Sequence, residues 1–139
     1  MRFLIINGPN LNLLGRREPE VYGAATYDDL CQMVTIWAAS RGHSADFFQS
    51  NHEGAIIDAI QQSDGKYDGI VINPGAYAHY SFAIHDALRA VSVPAVEVHI
   101  SDIHAREKWR NVSVTAPACR EMICGMGLEG YCKAMEMLI

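Results

Sequence analysis

One short stretch of the chain places two guanidinium groups close to a phenol. Arg16 and Arg17 come a few residues before Tyr22, and Gly15 and Gly23 bracket the segment. A tyrosine titrates near pH ~10, so it is a poor base at neutral pH, but nearby fixed cations favour its phenolate form. Arginine suits this task because it keeps its own proton. The stretch indicates either an activated tyrosine base or a solvated basic loop.

A carboxylate and an imidazole form a second candidate pair. Glu97 and His99 are two residues apart in an apolar run, so a strand would point both side chains to the same face. A carboxylate beside an imidazole fixes its tautomer and supports its charged form, which suits acid–base chemistry. The alternative is a structural core pair. A glutamate in a buried strand is costly without a partner, which favours the functional interpretation.

Further polar side chains follow other predicted strands. Asn73 and His79 belong to a turn that leads into a helix, and an amide such as Asn73 can both donate to and accept from a water or a substrate hydroxyl. Arg106 and Arg110 come four residues apart in the loop after the fourth predicted strand. They form either a solvated basic face or a clamp for a carboxylate.

The hydrophobic pattern predicts the elements that must position these groups. Short apolar runs that end in Asn, Gly or Pro are typical of buried parallel strands, and apolar residues at helical spacing predict helices between them. Thr26 is a candidate helix cap, and Ser50 with Glu53 matches a capping box. The predicted strands are residues 3–6, 44–49, 68–72, 94–98 and, as a short fifth, 112–114; the predicted helices are residues 27–41, 55–62, 80–91 and 121–138.

This alternation predicts one α/β domain over residues 1–139. It indicates a flavodoxin-like three-layer sandwich, with a five-stranded parallel sheet in the order 2-1-3-4-5 and helices on both faces. Ligands bind such sheets outside the carboxyl ends of the strands. The candidate residues follow four different strands, so we expect them to meet at that edge.

Composition restricts the possible partners and location. The formal net charge is −5, so neither nucleic acid nor an anionic membrane is an expected partner. No apolar run is long enough for a membrane span, and residues 3–6 are too few for a signal-peptide core, so we expect a cytoplasmic protein. The four cysteines show no paired metal-finger spacing, which favours reduced, buried thiols over a zinc site.

Five motifs, in order, closely resemble type II 3-dehydroquinate dehydratase. They begin at Asn7, Arg17, Ser50, Asn73 and Glu97, and read NGPNLN, REPxxYG, SNHEG, NPGAYxH and EVHxS, the last continuing through Arg106 and Arg110. The resemblance runs nearly from end to end, including residues 113–117 and 125–131. It implies a flavodoxin-like enzyme that dehydrates 3-dehydroquinate to 3-dehydroshikimate by anti elimination through an enolate, with no metal and no cofactor.

The resemblance also implies residue roles. Tyr22 would abstract the proton, Arg17 would activate Tyr22, and His99 supported by Glu97 would protonate the departing hydroxyl. Asn10 would anchor a water opposite the enolate oxygen, and Arg16 would be an electrostatic bystander. The substrate-binding positions would be Asn73, His79, Ile100, Ser101, Arg106 and Arg110, with Arg106 closing with the lid loop. Asp86 would reach the site of a neighbouring subunit in a homododecamer built from trimers.

Three other functions are compatible with parts of the pattern. A flavodoxin-like ligand-binding or electron-transfer domain would need a Ser/Thr/Gly-rich phosphate loop after the first strand. A metal-dependent hydrolase could use His52, His79, His99 and His104, although they lack tight ligand spacing. A receiver domain would need an Asp after the third strand, where this chain has Asn73.

Overall fold

The computed structural model describes residues 1–139 and contains a five-stranded, wholly parallel sheet. The strand order is β2-β1-β3-β4-β5, which confirms the predicted α/β, flavodoxin-like topology. The strands are β1 (Arg2–Asn7), β2 (Ser44–Gln49), β3 (Gly69–Asn73), β4 (Ala95–His99) and β5 (Glu121–Cys124).

Helices cover both faces of the sheet and bury a separate apolar layer against each. On one face α2 (Tyr27–Ser40) and α5 (Glu129–Leu138) pack Leu30, Val34 and Met135 against Phe3 and Ile5. On the other face α3 (Glu53–Gln62) and α4 (Phe82–Ala90) cover β1 and β3. Both sheet faces are therefore apolar, which explains the continuous hydrophobic runs of β1 and β3. The remaining helix, α1 (Pro19–Tyr22), is a single turn in the loop after β1.

One predicted helix cap is confirmed and the other is wrong. Thr26 caps α2 in a reciprocal capping box with Asp29. The box predicted for Ser50 and Glu53 does not form, because α3 begins two residues later than that pattern requires. The N-cap of α3 is His52. Ser50 Oγ accepts the His52 N–H at 2.9 Å. The Glu53 carboxylate accepts the Ser81 hydroxyl at 2.5 Å and does not bond the backbone of the helix cap.

The fifth strand lies later in the chain than predicted. Residues 112–114 form no strand, and β5 is residues 121–124, the start of the segment predicted as the closing helix. The reason is pairing: β5 joins the sheet beside β4, with Val96 opposite Glu121 and His99 opposite Cys124. The closing helix therefore begins only at Glu129, after Gly125 and Gly127 turn the chain with positive φ.

The carboxyl ends of β1 and β3 are adjacent, and this brings together loops that are distant in sequence. Asn7 and Asn73 are register partners at those ends. Gly8 is needed there because an added Cβ would lie 2.3 Å from the Pro74 carbonyl oxygen. The order of the strands reverses between β1 and β3, which is where open α/β sheets bind ligands. None of the helices has the length and hydropathy needed to cross a membrane.

Candidate active site

A cleft opens at the carboxyl ends of β1, β3 and β4. The cleft gathers residues from the loops after these three strands, as the sheet topology requires. Ten predicted site residues line it: Asn10, Arg17, Tyr22, Asn73, His79, His99, Ile100, Ser101, Arg106 and Arg110.

Two arginines donate hydrogen bonds to the Tyr22 hydroxyl oxygen. Arg17 Nη2 lies 3.0 Å from this oxygen and Arg106 Nη1 lies 2.5 Å from it. The Arg17 guanidinium also sits over the Tyr22 ring, 4.4 Å from its centroid. A second bond from Arg106 reaches Glu18 Oε2 at 3.1 Å, which ties the loop of residues 15–23 to the loop after β4. Two charge-assisted donors therefore converge on one phenol oxygen.

Glu97 orients the His99 ring. His99 Nε2 lies 2.8 Å from Glu97 Oε2, and both side chains are buried in β4. A carboxylate is an acceptor, so Nε2 carries a proton, and Nδ1 is the ring nitrogen left for the cleft. Glu97 also accepts the hydroxyls of Ser113, at 2.6 Å, and of Thr115. The arrangement gives the cleft an imidazole of fixed orientation.

His79 is held beside His99 by a backbone carbonyl. Its Nδ1 donates to the Val112 carbonyl oxygen at 2.8 Å, and the two imidazole rings stack with centroids 6.2 Å apart. Burial lowers the pKa of His79, and the nearby charges of His99 and Arg110 act in the same direction. A neutral His79 with its proton on Nδ1 presents Nε2 as an acceptor.

A hydrogen-bond chain beneath the cleft fixes the Asn73 amide. Asn73 Nδ2 donates to Tyr131 Oη at 3.0 Å, and Tyr131 Oη donates to Asn7 Oδ1 at 2.5 Å. Asn73 Oδ1 accepts the Gly75 N–H at 3.0 Å. Burial raises the pKa of Tyr131, so this phenol keeps its proton. The second Nδ2 hydrogen of Asn73 is the one still available to a ligand.

The segment after β4 offers donors for an anion. The carbonyls of Ile100 and Ser101 accept the N–H groups of Gly127 and Gly125, both at 3.1 Å, whereas their own N–H groups donate to no protein carbonyl. Arg110 lines the same cleft; its Nε donates to Glu107 at 3.0 Å, which leaves its Nη groups for a ligand. The two free backbone donors suit a carboxylate, and the guanidinium can bind another oxygen of the same ligand.

The whole chain, residues 1–139, matches the family model described as Dehydroquinase class II. The 3-dehydroquinate dehydratase of Thermotoga neapolitana is 56% identical over 136 residues, which cover 98% of this chain and 92% of that protein. The enzyme of the same name from Caldicellulosiruptor bescii is 54% identical over 138 residues, or 99% and 95% of the two chains. The crystal structure of type II dehydroquinase from Butyrivibrio crossotus superimposes with a TM-score of 0.97 at 52% identity and covers 99% of this chain and 97% of that one.

The chain belongs to the class II dehydroquinase family.

Two predicted site residues do not line the cleft. Glu97 lies behind His99, which is consistent with a supporting position. Asp86 is exposed on α4 and away from the cleft of its own chain. The sequence interpretation did not identify Ser113, Thr115 or Tyr131 as site residues. All three lie in segments that the family resemblance covers, residues 113–117 and 125–131, but no role was assigned to them, and residues 112–114 had been interpreted as a strand.

The histidines of the chain do not cluster with other metal-binding side chains. No group of three or more His, Cys, Asp or Glu side chains is close enough to share a metal ion. His79 and His99 line the cleft, whereas His52 and His104 are exposed elsewhere. This geometry argues against the metal-dependent hydrolase that the histidine count had left open.

Proposed function

We propose that this chain is a 3-dehydroquinate dehydratase that forms 3-dehydroshikimate by anti elimination through an enolate. The observation that carries the proposal is the pairing, in one cleft, of a phenol held by two guanidiniums with an imidazole held by a buried carboxylate. The first pair suits proton abstraction and the second suits proton donation. The names of its relatives support the same reaction. The proposal treats residues 1–139 as one catalytic domain.

Tyr22 acts as the base. Its phenolate oxygen takes the proton from the carbon next to the substrate ketone, and the C–H electron pair forms the enolate. Arg17 and Arg106 stabilise the phenolate before this transfer through their bonds to its oxygen. Asn10, which also lines the cleft, anchors a water that donates to the enolate oxygen.

His99 acts as the general acid. The enolate electrons return to form the carbon–carbon double bond while the C–O bond to the leaving hydroxyl breaks. His99 Nδ1 gives that hydroxyl a proton, so it departs as water, and the product is an enone. Glu97 stabilises the imidazolium before this step. Transfer of the proton on Tyr22 back to His99 through solvent restores both groups.

The remaining cleft residues bind the substrate. The Ile100 and Ser101 N–H groups hold its carboxylate, and His79 Nε2 accepts a proton from a ring hydroxyl. Asn73 and Arg110 bind the other hydroxyls, and Arg106 closes over the substrate with the loop of residues 15–23. This assignment uses groups whose donor or acceptor capacity is not already taken by the protein.

The assembly and the location of the protein belong to the same proposal. We propose a homododecamer built from trimers, in which the exposed Asp86 of one subunit approaches the cleft of its neighbour. The enzyme would act in the cytoplasm with a small-molecule substrate as its partner. Size-exclusion chromatography with light scattering measures the assembly, and a monomeric enzyme with full activity would contradict the Asp86 role.

Enone formation is the direct test of the function. Purified protein mixed with 3-dehydroquinate should raise the ultraviolet absorbance of the conjugated product. Borohydride added during turnover should trap no covalent adduct, because none of the three lysines, Lys66, Lys108 and Lys133, lines the cleft. Absence of enone formation by a folded, assembled protein would refute the proposal. A coloured, flavin-containing preparation would instead support the electron-transfer alternative.

A further inference from the structure

The loop of residues 112–115 places two hydroxyl groups on the buried carboxylate of Glu97. Ser113 Oγ donates to Glu97 Oε2 at 2.6 Å, and Thr115 Oγ1 donates to Glu97 Oε1. His99 Nε2 makes the third contact, to Oε2 at 2.8 Å. Glu97 and Thr115 have no solvent-accessible surface. The carboxylate therefore depends on these three donors in place of water.

The bonding capacity of each hydroxyl determines the direction of its hydrogen bond. Ser113 Oγ already accepts the Ala116 N–H at 3.0 Å, so its single proton is free to go to Glu97. Ser113 Oγ and Thr115 Oγ1 lie 3.1 Å apart, but neither can donate to the other while both donate to Glu97. Three donors therefore converge on the Glu97 side chain. Glu97 then has both oxygens fixed in space, and Oε2 is directed at His99.

The same loop is anchored to the other side of the cleft through its backbone. The Val112 carbonyl accepts the His79 Nδ1 proton at 2.8 Å, and the Val114 carbonyl accepts that of His85 at the same distance. The Val114 N–H donates to the Ala78 carbonyl at 2.7 Å. Carbonyls at even positions thus face the histidines, while hydroxyls at odd positions face Glu97. The loop is held too firmly for its two hydroxyls to turn away.

We propose that Ser113 and Thr115 are positioning residues for the dehydration, acting through Glu97 on the imidazole of His99. They hold both side-chain oxygens of Glu97 in place, so that His99 keeps its ring orientation and directs Nδ1 toward the cleft. Neither residue lines the cleft, so neither contacts the substrate. This inference rests on the proposed function, because it assigns the two hydroxyls to the acid step of that reaction.

A matched pair of substitutions at position 115 separates the hydroxyl from the volume of the side chain. Thr115→Val keeps the shape and removes the hydroxyl, whereas Thr115→Ser keeps the hydroxyl and removes a methyl group. We expect Thr115→Val to lower kcat about tenfold with little change in KM. This loss is a fraction of the ~100- to 10,000-fold rate enhancement that general acid–base catalysis supplies. Thr115→Ser should keep most of the wild-type kcat. Equal kcat values in the two folded variants would overturn the inference.

A double-mutant cycle tests whether the effect passes through Glu97. In a Glu97→Gln background, adding Thr115→Val should change kcat by less than about twofold, because the carboxylate that Thr115 serves is already gone. A further tenfold loss in that background would show an independent action and would contradict the proposal. Circular dichroism and thermal melts of every variant establish that folded enzymes are compared.

Ser113→Ala provides a second route if Thr115→Val does not fold. It should lower kcat in the same direction, again without a further effect in the Glu97→Gln background. Ser63→Ala is its control, because Ser63 is a buried hydroxyl that bonds the Ile60 carbonyl at 2.6 Å, in the turn that follows α3. This control should alter stability and leave kcat unchanged. A folded Ser113→Ala enzyme with wild-type kcat would overturn the role of Ser113.

The proposed function and the positioning role of Ser113 and Thr115 can be refuted separately. Wild-type protein that forms no enone from 3-dehydroquinate refutes the proposed function itself. If the wild-type protein forms enone but Thr115→Val and Thr115→Ser have the same kcat, the proposed function stands and only the positioning role is refuted.

Discussion

Arg106 Nη1 lies 2.5 Å from the Tyr22 hydroxyl oxygen, although 84 residues separate the two in the chain. Arg17, only five residues from Tyr22, donates to the same oxygen at 3.0 Å. The phenol therefore receives one cation from its own loop and one from the loop after β4. The proposed mechanism therefore assigns Arg106 both to closure of the cleft and to activation of the base.

Replacing the proposed base should abolish turnover and leave the fold intact. Tyr22→Phe removes only the hydroxyl of a half-buried side chain, so the thermal melting temperature should hardly change. We expect kcat for enone formation to fall at least about 1,000-fold, since general-base catalysis contributes roughly 100- to 10,000-fold. Substantial turnover by a pure, folded Tyr22→Phe enzyme would eliminate Tyr22 as the base.

Charge removal at three arginines should have unequal effects. Arg17→Gln and Arg106→Gln each delete a donor to the Tyr22 oxygen, and we expect kcat to fall about 100-fold or more, a size typical of electrostatic groups in active sites. Arg16→Gln makes the same change in charge at an exposed residue that makes no contact with Tyr22, and it should retain kcat within about twofold. Steady-state kinetics at matched ionic strength compares the three. A similar fall in kcat for Arg16→Gln would indicate that Tyr22 responds to the total positive charge of the loop and not to direct hydrogen bonds.

The buried bond between Tyr131 and Asn7 should contribute measurably to stability. Tyr131→Phe leaves Asn7 Oδ1 without its donor and Asn73 Nδ2 without its acceptor in a site that water does not reach. We expect the free energy of unfolding to fall by about 1–3 kcal/mol, the usual cost of an unsatisfied buried group. Chemical denaturation measures this change. Tyr80→Phe is the control, because Tyr80 is 60% exposed. This substitution should change the free energy of unfolding by no more than about 0.5 kcal/mol.

Stability should decrease as the pH falls below about 6.5, in part because of His79. Burial lowers the pKa of His79 from its ordinary value of 6.5. The unfolded chain therefore binds a proton at His79 more readily than the folded chain does. The free energy of unfolding then rises with pH between the folded pKa and 6.5, and above 6.5 this group has no effect. His79→Gln should flatten the dependence, while the exposed His104→Gln should not. An unchanged slope in His79→Gln would refute the assignment.

Local sequence determined most of the scaffold of this protein. The continuous apolar run of β1 and the pattern of β3 and β4 specified buried parallel strands, because both of their faces had to be covered by helices. Thr26 and Asp29 specified the start of α2, since a capping box needs only residues three apart. Motif order and spacing also identified the family and ten of the residues that line the cleft.

The tertiary structure decided the features that depend on partners distant in sequence. Glu53 accepts a hydrogen bond from Ser81 and not from its own helix cap. Residues 121–124 complete the sheet in place of residues 112–114, because pairing with β4 determines which segment becomes β5. The second cation on Tyr22 and the two hydroxyls on Glu97 come from loops that only the fold brings near. Sequence patterns report local geometry and burial, whereas a hydrogen bond across the sheet edge requires the positions of both partners in space.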